Sequence, residues 1–189
     1  RWLRRGFERF VRLEVSRGTP RALRFDAFVA DEAWWLDEYA TFRALHALHD
    51  DLPWHLWPEP LARAEPAAIA SARVALRSEI RYRMYLQWLA AEQWGEAKRL
   101  AWPLRIFGDL PFMNSADSPD VWARQREFRF DATIGVPPDA FSETGQDWGL
   151  PPWRWDVMAK SDFAWIRARA RRYAALYDGF RVDHLVGLY

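Results

Sequence analysis

The chain has 189 residues, half of them apolar, and is therefore long enough to bury a core of ordinary domain size. Its 27 basic and 26 acidic residues leave a net charge of +1, which gives no argument for binding to nucleic acid or to a membrane surface. The sequence has no cysteine, which excludes disulfides and thiolate metal sites, and no apolar run approaches the roughly 20 residues that span a bilayer.

Aromatic residues make up 16% of the chain and include 13 tryptophans. Tryptophan rings stack on the apolar faces of sugars, but they also fill protein cores, which is the more common role for any single tryptophan. The chain begins at Arg1 without an initiator methionine and ends abruptly at Tyr189. We therefore expect it to be a fragment of a longer protein.

The first 100 residues are predicted to be mostly helical. Apolar residues at helical spacing predict helices over residues 2–15 and 31–49, and four prolines indicate a loop over residues 52–66. The strongest helical periodicity extends from Pro66 to about residue 99, with no proline inside it.

After Pro103 the pattern changes to strands joined by a long connection. Residues 104–111 predict a buried strand, and residues 114–152 predict an irregular segment with a short helix near Pro119. Ser161 or Asp162 is the predicted cap of a helix that precedes a last strand. A strand, helix and strand in this order imply parallel pairing and an α/β fold. Functional sites in such folds lie at the carboxyl ends of strands, so Asp109 and Asp183 should face one cleft.

The end of the last strand carries an Arg-x-Asp-His cluster, formed by Arg181, Asp183 and His184. Side chains two residues apart on a strand point to the same face, so Arg181 can keep Asp183 ionised and fix its rotamer, as a carboxylate nucleophile requires. A buried ion pair at a strand end is the alternative.

The segment 134–152 is rich in proline and glycine and presents several groups that suit sugars. Amides and carboxylates can bond to sugar hydroxyls, and aromatic rings can stack on sugars. A rigid surface loop with Trp148 in the core is an equally good interpretation of the composition. The presented residues are Asp139, Phe141, Ser142, Glu143, Gln146 and Trp148.

His46 and His49 lie three residues apart in a predicted helix, with acidic neighbours only at Asp50 and Asp51. We interpret them as surface or packing histidines and expect no metal site and no cofactor.

Three separated motifs resemble those of the 4-α-glucanotransferases known as amylomaltases or disproportionating enzymes, in the α-amylase superfamily. They are Gly-Asp-Leu-Pro-Phe at residues 108–112, the loop that includes Gly-Gln-Asp-Trp-Gly at residues 145–149, and Gly-Phe-Arg-Val-Asp-His at residues 179–184. The resemblance covers nearly the whole chain. It implies a retaining enzyme that transfers a segment of an α-1,4-glucan to the 4-hydroxyl of another glucan or of glucose.

The resemblance also implies roles for individual residues. Asp183 matches the nucleophile, Arg181 the arginine that orients it, and His184 a residue that lines the donor sugar site. Asp109 matches a supporting residue at a strand end. The loop over the glucan is represented by Asp139, Phe141, Gln146 and Trp148.

For the fold, the resemblance implies a partial (β/α)8 barrel. Residues 1–100 would form a mostly helical inserted subdomain, and residues 101–189 part of the catalytic barrel, including the loop 134–152. The family's acid/base glutamate lies on a later strand, beyond Tyr189, so we expect the isolated chain to be inactive. We expect a cytoplasmic protein whose partners are maltooligosaccharides or other α-1,4-glucans. Two alternatives stay open: an α-glucan hydrolase of the same superfamily, and a non-catalytic glucan-binding protein.

Overall fold

The structure is a computed structural model that describes residues 2–138, 140 and 142–182. The chain divides into two compact units, residues 1–97 and residues 98–189. The described part of the first unit is helical, whereas the described part of the second combines helices with two short sheets. None of the helices among the described residues is long and apolar enough to cross a membrane.

Helices account for most of the first unit. Thr19 begins α2 by accepting a hydrogen bond from the Ala22 amide at 3.3 Å, and Pro20 occupies the first turn, where a missing amide proton costs nothing. The predictions over residues 2–15 and 31–49 are confirmed, while α2 lies between them. The six helices are α1 (Trp2–Leu13), α2 (Pro20–Asp31), α3 (Ala33–Leu48), α4 (Glu59–Ala62), α5 (Pro66–Ala75) and α6 (Arg77–Ala101).

The long helix predicted from Pro66 is interrupted once, at Leu76 between α5 and α6. No proline or glycine lies at this break. Instead, Leu76 and Ile80 pack against Ala40 and Ala44 of α3. Tertiary packing accompanies the interruption, and the local sequence carries no signal for it.

An aromatic cluster joins α1, α2 and α6 and forms the core of the first unit. The ring of Phe10 lies 4.9 Å from that of Tyr85, and Phe25 is completely buried between these helices. Such tilted and edge-on ring contacts add to the free energy gained from burial alone. The buried members are Phe7, Phe10, Ala22, Phe25, Tyr82, Tyr85 and Trp88.

In the second unit, β1 (Phe107–Leu110) pairs in parallel with β4 (Gly179–Val182), as the sequence predicts. The helix α9 (Ala164–Leu176) precedes β4. Asp178 fixes the entry into the sheet because its carboxylate accepts a bond from the Ile106 amide at 2.9 Å, and its own amide donates to the Ile106 carbonyl. The register then places Asp109 beside Arg181.

The segment predicted to be irregular contains a β-hairpin as well as the predicted short helix. Ser118 caps α7 (Pro119–Ala123), and a second short helix, α8 (Trp155–Met158), follows the segment. The strands β2 (Ile134–Val136) and β3 (Gln146–Leu150) pair antiparallel. Pro137 and Pro138 lie in the connection between these strands, and Pro151 and Pro152 follow β3, so none of them is required to form a ladder bond.

The predicted cap of α9 is wrong. The helix begins at Ala164, and both Asp162 and Phe163 have left-handed backbones with φ near +51°. The Ser161 hydroxyl donates to the Met158 carbonyl instead of capping a helix. A sharp turn closes α8 and reorients the chain here, which overrides the local capping signal.

Candidate functional site

Four of the eight site residues predicted from the sequence belong to the described part of the chain. They are Asp109, Arg181, Gln146 and Trp148. The other four, Asp139, Phe141, Asp183 and His184, lie outside the described residues.

Asp109 and Arg181 form a two-pronged ion pair across the parallel strands β1 and β4. Arg181 donates from Nε to Oδ1 of Asp109 at 3.0 Å and from Nη2 to Oδ2 at 3.1 Å. Both side chains are about two-thirds exposed, so the pair lies at the surface of this unit. The fork of a guanidinium matches the two oxygens of a carboxylate, so the pair fixes the orientation of both groups.

This direct pairing was not predicted, because the sequence analysis assigned Arg181 to orient Asp183 and gave Asp109 a supporting role. The available signal was the position of each residue, one before the last residue of its strand. In a parallel pair with matched ends, such residues lie side by side.

Gln146 and Trp148 lie on one face of β3. The indole Nε1 of Trp148 donates to Oε1 of Gln146 at 3.1 Å, and the ring is only partly buried. Trp148 is therefore not one of the fully buried core residues, although most of its surface is covered. A partly exposed indole whose orientation is fixed by an amide neighbour can still contact a ligand through its open surface.

Phe112 connects the hairpin with the end of β1. Its ring meets that of Trp148 edge-on, with 5.9 Å between the centroids, and it lies three residues after Asp109. Its carbonyl oxygen accepts a 2.9 Å bond from Nε1 of the buried Trp153. Phe112 was not among the predicted site residues, although it closes the motif Gly-Asp-Leu-Pro-Phe.

Asp147 stabilises the hairpin between Gln146 and Trp148 of β3. Its carboxylate accepts a 2.8 Å bond from the Gly149 amide. This bond, followed by one from the Thr133 side chain, holds the pKa of Asp147 below its usual value. Hydrogen bonds to the ionised form explain this direction, because they stabilise the charged carboxylate.

His46 and His49 pack against aromatic rings, as the interpretation of packing histidines predicts. His46 is buried, its Nδ1 lies 2.8 Å from Oδ1 of Asp51, and its ring packs on Phe42. Over residues 2–138, 140 and 142–182, no group of three or more His, Asp or Glu side chains is placed to hold a metal ion.

The described part of the second unit thus combines a fixed guanidinium–carboxylate pair with a presented indole and a primary amide. Planar polar groups of this kind bond to neighbouring hydroxyls, and indole rings stack on the apolar faces of sugars. The arrangement suits a polyhydroxylated ligand.

Comparison with known proteins agrees with this chemistry. A family model described as 4-alpha-glucanotransferase matches residues 1–189. The 4-alpha-glucanotransferase of Thermus thermophilus is 44% identical over 172 residues, which are 86% of this chain and 34% of that protein. The rice chloroplastic/amyloplastic 4-alpha-glucanotransferase DPE1 is 37% identical over 187 residues, 94% of this chain and 31% of that protein. The chain therefore spans about a third of the length of these relatives.

A solved structure resembles the fold over almost the whole chain. It is an amylomaltase from Streptococcus agalactiae in complex with acarbose, with a TM-score of 0.88 and 32% identity over 98% of this chain and 38% of that one. An amylomaltase from Corynebacterium glutamicum matches with a TM-score of 0.71 and 26% identity, over 89% of this chain and 22% of that one. Since the family model covers every residue, the chain belongs to the 4-alpha-glucanotransferase family.

Proposed function

We propose that this chain is part of a 4-α-glucanotransferase that transfers a segment of an α-1,4-glucan to the 4-hydroxyl of an acceptor glucan or glucose. The observation that carries the proposal is Arg181, which a two-pronged pair with Asp109 fixes at the end of β4, two residues before Asp183 in the sequence. Family membership and the acarbose complex of the Streptococcus agalactiae amylomaltase support the same substrate class.

The proposed mechanism is a retaining double displacement. A carboxylate oxygen of Asp183 attacks the anomeric carbon, the bond from that carbon to the bridging oxygen breaks, and a general acid donates a proton to the departing oxygen. The 4-hydroxyl of the acceptor then attacks the glycosyl-enzyme, loses its proton to the same residue, and releases Asp183. We assign the acid/base role to a glutamate on a later strand of the complete protein, since retention requires a second carboxyl group about 5 Å from the nucleophile.

The remaining site residues receive roles in glucan binding. We assign His184 to the donor sugar site and Asp139, Phe141, Gln146 and Trp148 to a loop over the glucan. The partly exposed indole of Trp148 and its bond to Gln146 support this assignment for two of them. Asp109 acts through Arg181, and no cofactor is required by this chemistry.

For the architecture, we propose that residues 101–189 belong to a (β/α)8 barrel and that residues 1–100 form a helical subdomain inserted into it. The parallel pair β1–β4 with α9 before β4 is a strand–helix–strand arrangement of the kind that builds such barrels. The TM-score of 0.88 to an amylomaltase also supports the barrel.

The test uses the protein produced from its complete reading frame, incubated with maltotriose beside an Asp183→Asn variant. We expect the parent to form glucose and longer maltooligosaccharides and the variant to form neither. Products that are only shorter would identify a hydrolase instead. Transfer that survives Asp183→Asn would contradict the assignment of the nucleophile, and binding without any turnover would indicate a glucan-binding protein.

A further inference from the structure

Three polar side chains meet beside the segment 111–114, which follows β1. Arg169 of α9 donates from Nη2 to the Pro111 carbonyl oxygen at 3.1 Å and from Nη1 to Oδ1 of Asn114 at 3.0 Å. Asn114 in turn donates from Nδ2 to Oδ2 of Asp120 on α7 at 2.5 Å. The segment is therefore tied at its first and last residues to two helices.

The charged groups of Arg169 and Asp120 are partly buried. Burial raises the pKa of the Asp120 carboxyl, against the opposing effects of Arg169, Arg124 and the bond from Asn114. Burial also lowers the pKa of Arg169, which the charge of Asp120 opposes. The ionised form of each group is stabilised by the other, because leaving a desolvated ion without its partner costs free energy.

The tied segment carries Phe112, which supports Trp148. The Phe112 carbonyl is held by Nε1 of Trp153, and its ring meets the Trp148 ring edge-on. A continuous series of contacts therefore leads from Arg169 through the segment to the partly exposed indole of Trp148. A shift of the segment would move Phe112 and remove the lateral contact that orients Trp148.

We propose that Arg169 and Asn114 are positioning residues for glucan binding, which act through Phe112 on Trp148. Neither residue touches the glucan. This inference rests on the proposed function, because it takes Trp148 to be a glucan-stacking residue. Arg169 can do this where lysine cannot, since the contact uses two nitrogens of one rigid plane to reach two acceptors.

A double-mutant cycle in the protein from the complete reading frame tests the proposal. Arg169→Lys keeps the positive charge beside Asp120 but loses the fork, and Trp148→Ala removes the proposed target. Binding of maltoheptaose is measured by titration calorimetry on an Asp183→Asn background, which prevents turnover. Arg167→Lys is the matched control, because Arg167 is an exposed residue on the same helix, two positions earlier.

We expect Arg169→Lys to weaken maltoheptaose binding about five-fold when Trp148 is present and not at all when it is absent, which is the coupling expected of residues linked through shared contacts. Arg167→Lys should leave the affinity unchanged in both backgrounds. An equal loss of affinity with and without Trp148, or no loss in either, would overturn the proposal. If Arg169→Lys fails to fold, Phe112→Leu replaces it in the same double-mutant cycle with Trp148→Ala. This variant keeps the polar cluster intact and removes only the edge-on ring.

The two proposals fail in different ways. A parent protein that binds maltoheptaose but makes no longer chains from maltotriose would contradict the proposed function and leave the inference standing. A parent that transfers normally while Arg169→Lys and Trp148→Ala act additively would contradict the inference and leave the function standing.

Discussion

Arg181 contributes more to the geometry of the proposed site than to the stability of the fold. Its pair with Asp109 is mostly exposed to water, and exposed ion pairs stabilise a fold by about 1 kcal/mol or less. The two bonds of 3.0 and 3.1 Å nevertheless leave the guanidinium one orientation. In the proposed enzyme, that orientation determines how the guanidinium of Arg181 is placed relative to the nucleophile Asp183, two residues later in the sequence.

Arg181→Lys should therefore reduce transfer far more than it reduces stability. We expect the transfer rate from maltotriose to fall about a hundred-fold or more, because misplacing a positioned group by an ångström costs that much. The melting temperature should change by only a few degrees. Arg129→Lys is the control, since Arg129 forms a similar two-pronged pair with Asp131 and is not one of the proposed site residues. Equal losses of activity in the two variants would contradict the prediction.

Asp147 should titrate below the ordinary aspartate value of about 3.9. Its folded-state pKa is lowered by the Gly149 amide and then by Thr133, so its contribution to stability is present above the unfolded-state pKa and disappears as the pH falls through the folded-state pKa. Carboxyl carbon NMR shifts would report the midpoint. Thr133→Val should raise it towards the ordinary value, and a midpoint at or above 3.9 in the parent would contradict the prediction.

At the scale of elements, the sequence predicted the sheet β1–β4 better than the hairpin β2–β3. The apolar strands and the intervening amphipathic helix carry clear periodicities, and their order alone implies parallel pairing. The hairpin strands are short, and β3 reads Gln-Asp-Trp-Gly-Leu without a β-branched residue. Its register is set by two glycines whose role is visible only in three dimensions.

Those two glycines are specific requirements of the hairpin. A Cβ built on Gly135 would lie 1.9 Å from the Gln146 carbonyl oxygen, which is backbone and cannot rotate away. Gly145 has φ of +75°, a conformation that residues with a side chain rarely adopt. The same composition that suggested a loop therefore encodes a close antiparallel pair, and no pattern of apolar residues reveals it.

Gly135→Ala should open the hairpin and displace Trp148. We expect at least a ten-fold loss of transfer, because the proposed stacking face moves, together with reduced amide protection at β3 in hydrogen exchange. Gly95→Ala is the control, since a Cβ there meets nothing within 4 Å and alanine favours the interior of α6 by about 1 kcal/mol. Unchanged protection of β3 in Gly135→Ala would contradict the prediction.

At the scale of the whole chain, the described parts of the two units differ in secondary structure, because only the second contains β-sheets. Within the described residues of the second unit, each sheet has two strands, and such sheets are marginal without further strands or packing. Large apolar side chains near β1 are exposed there, among them Trp102, Leu104 and Phe107. Contiguous exposed apolar groups mark surfaces that other parts of a protein cover, which agrees with the proposed barrel. The first unit has an aromatic core of its own, and the second unit also buries apolar side chains, among them Val121, Trp153 and Met158.

Residues 1–101 should therefore fold alone. The aromatic cluster that joins α1, α2 and α6 lies entirely within this segment, which ends with α6 at Ala101. We expect a helical circular dichroism spectrum and one cooperative unfolding transition in urea. Phe25→Ala should lower the free energy of unfolding by about 3–5 kcal/mol, because it empties a completely buried position.

Leu23→Ala is the matched control for that measurement, since Leu23 belongs to the same helix and is 61% exposed. It should change the free energy of unfolding by about 0.5 kcal/mol or less. Equal losses in the two variants, or the absence of a cooperative transition in the parent segment, would show that the aromatic cluster does not make this unit independent. A transition that only Phe25→Ala weakens would place the stability of the helical unit in its own aromatic core.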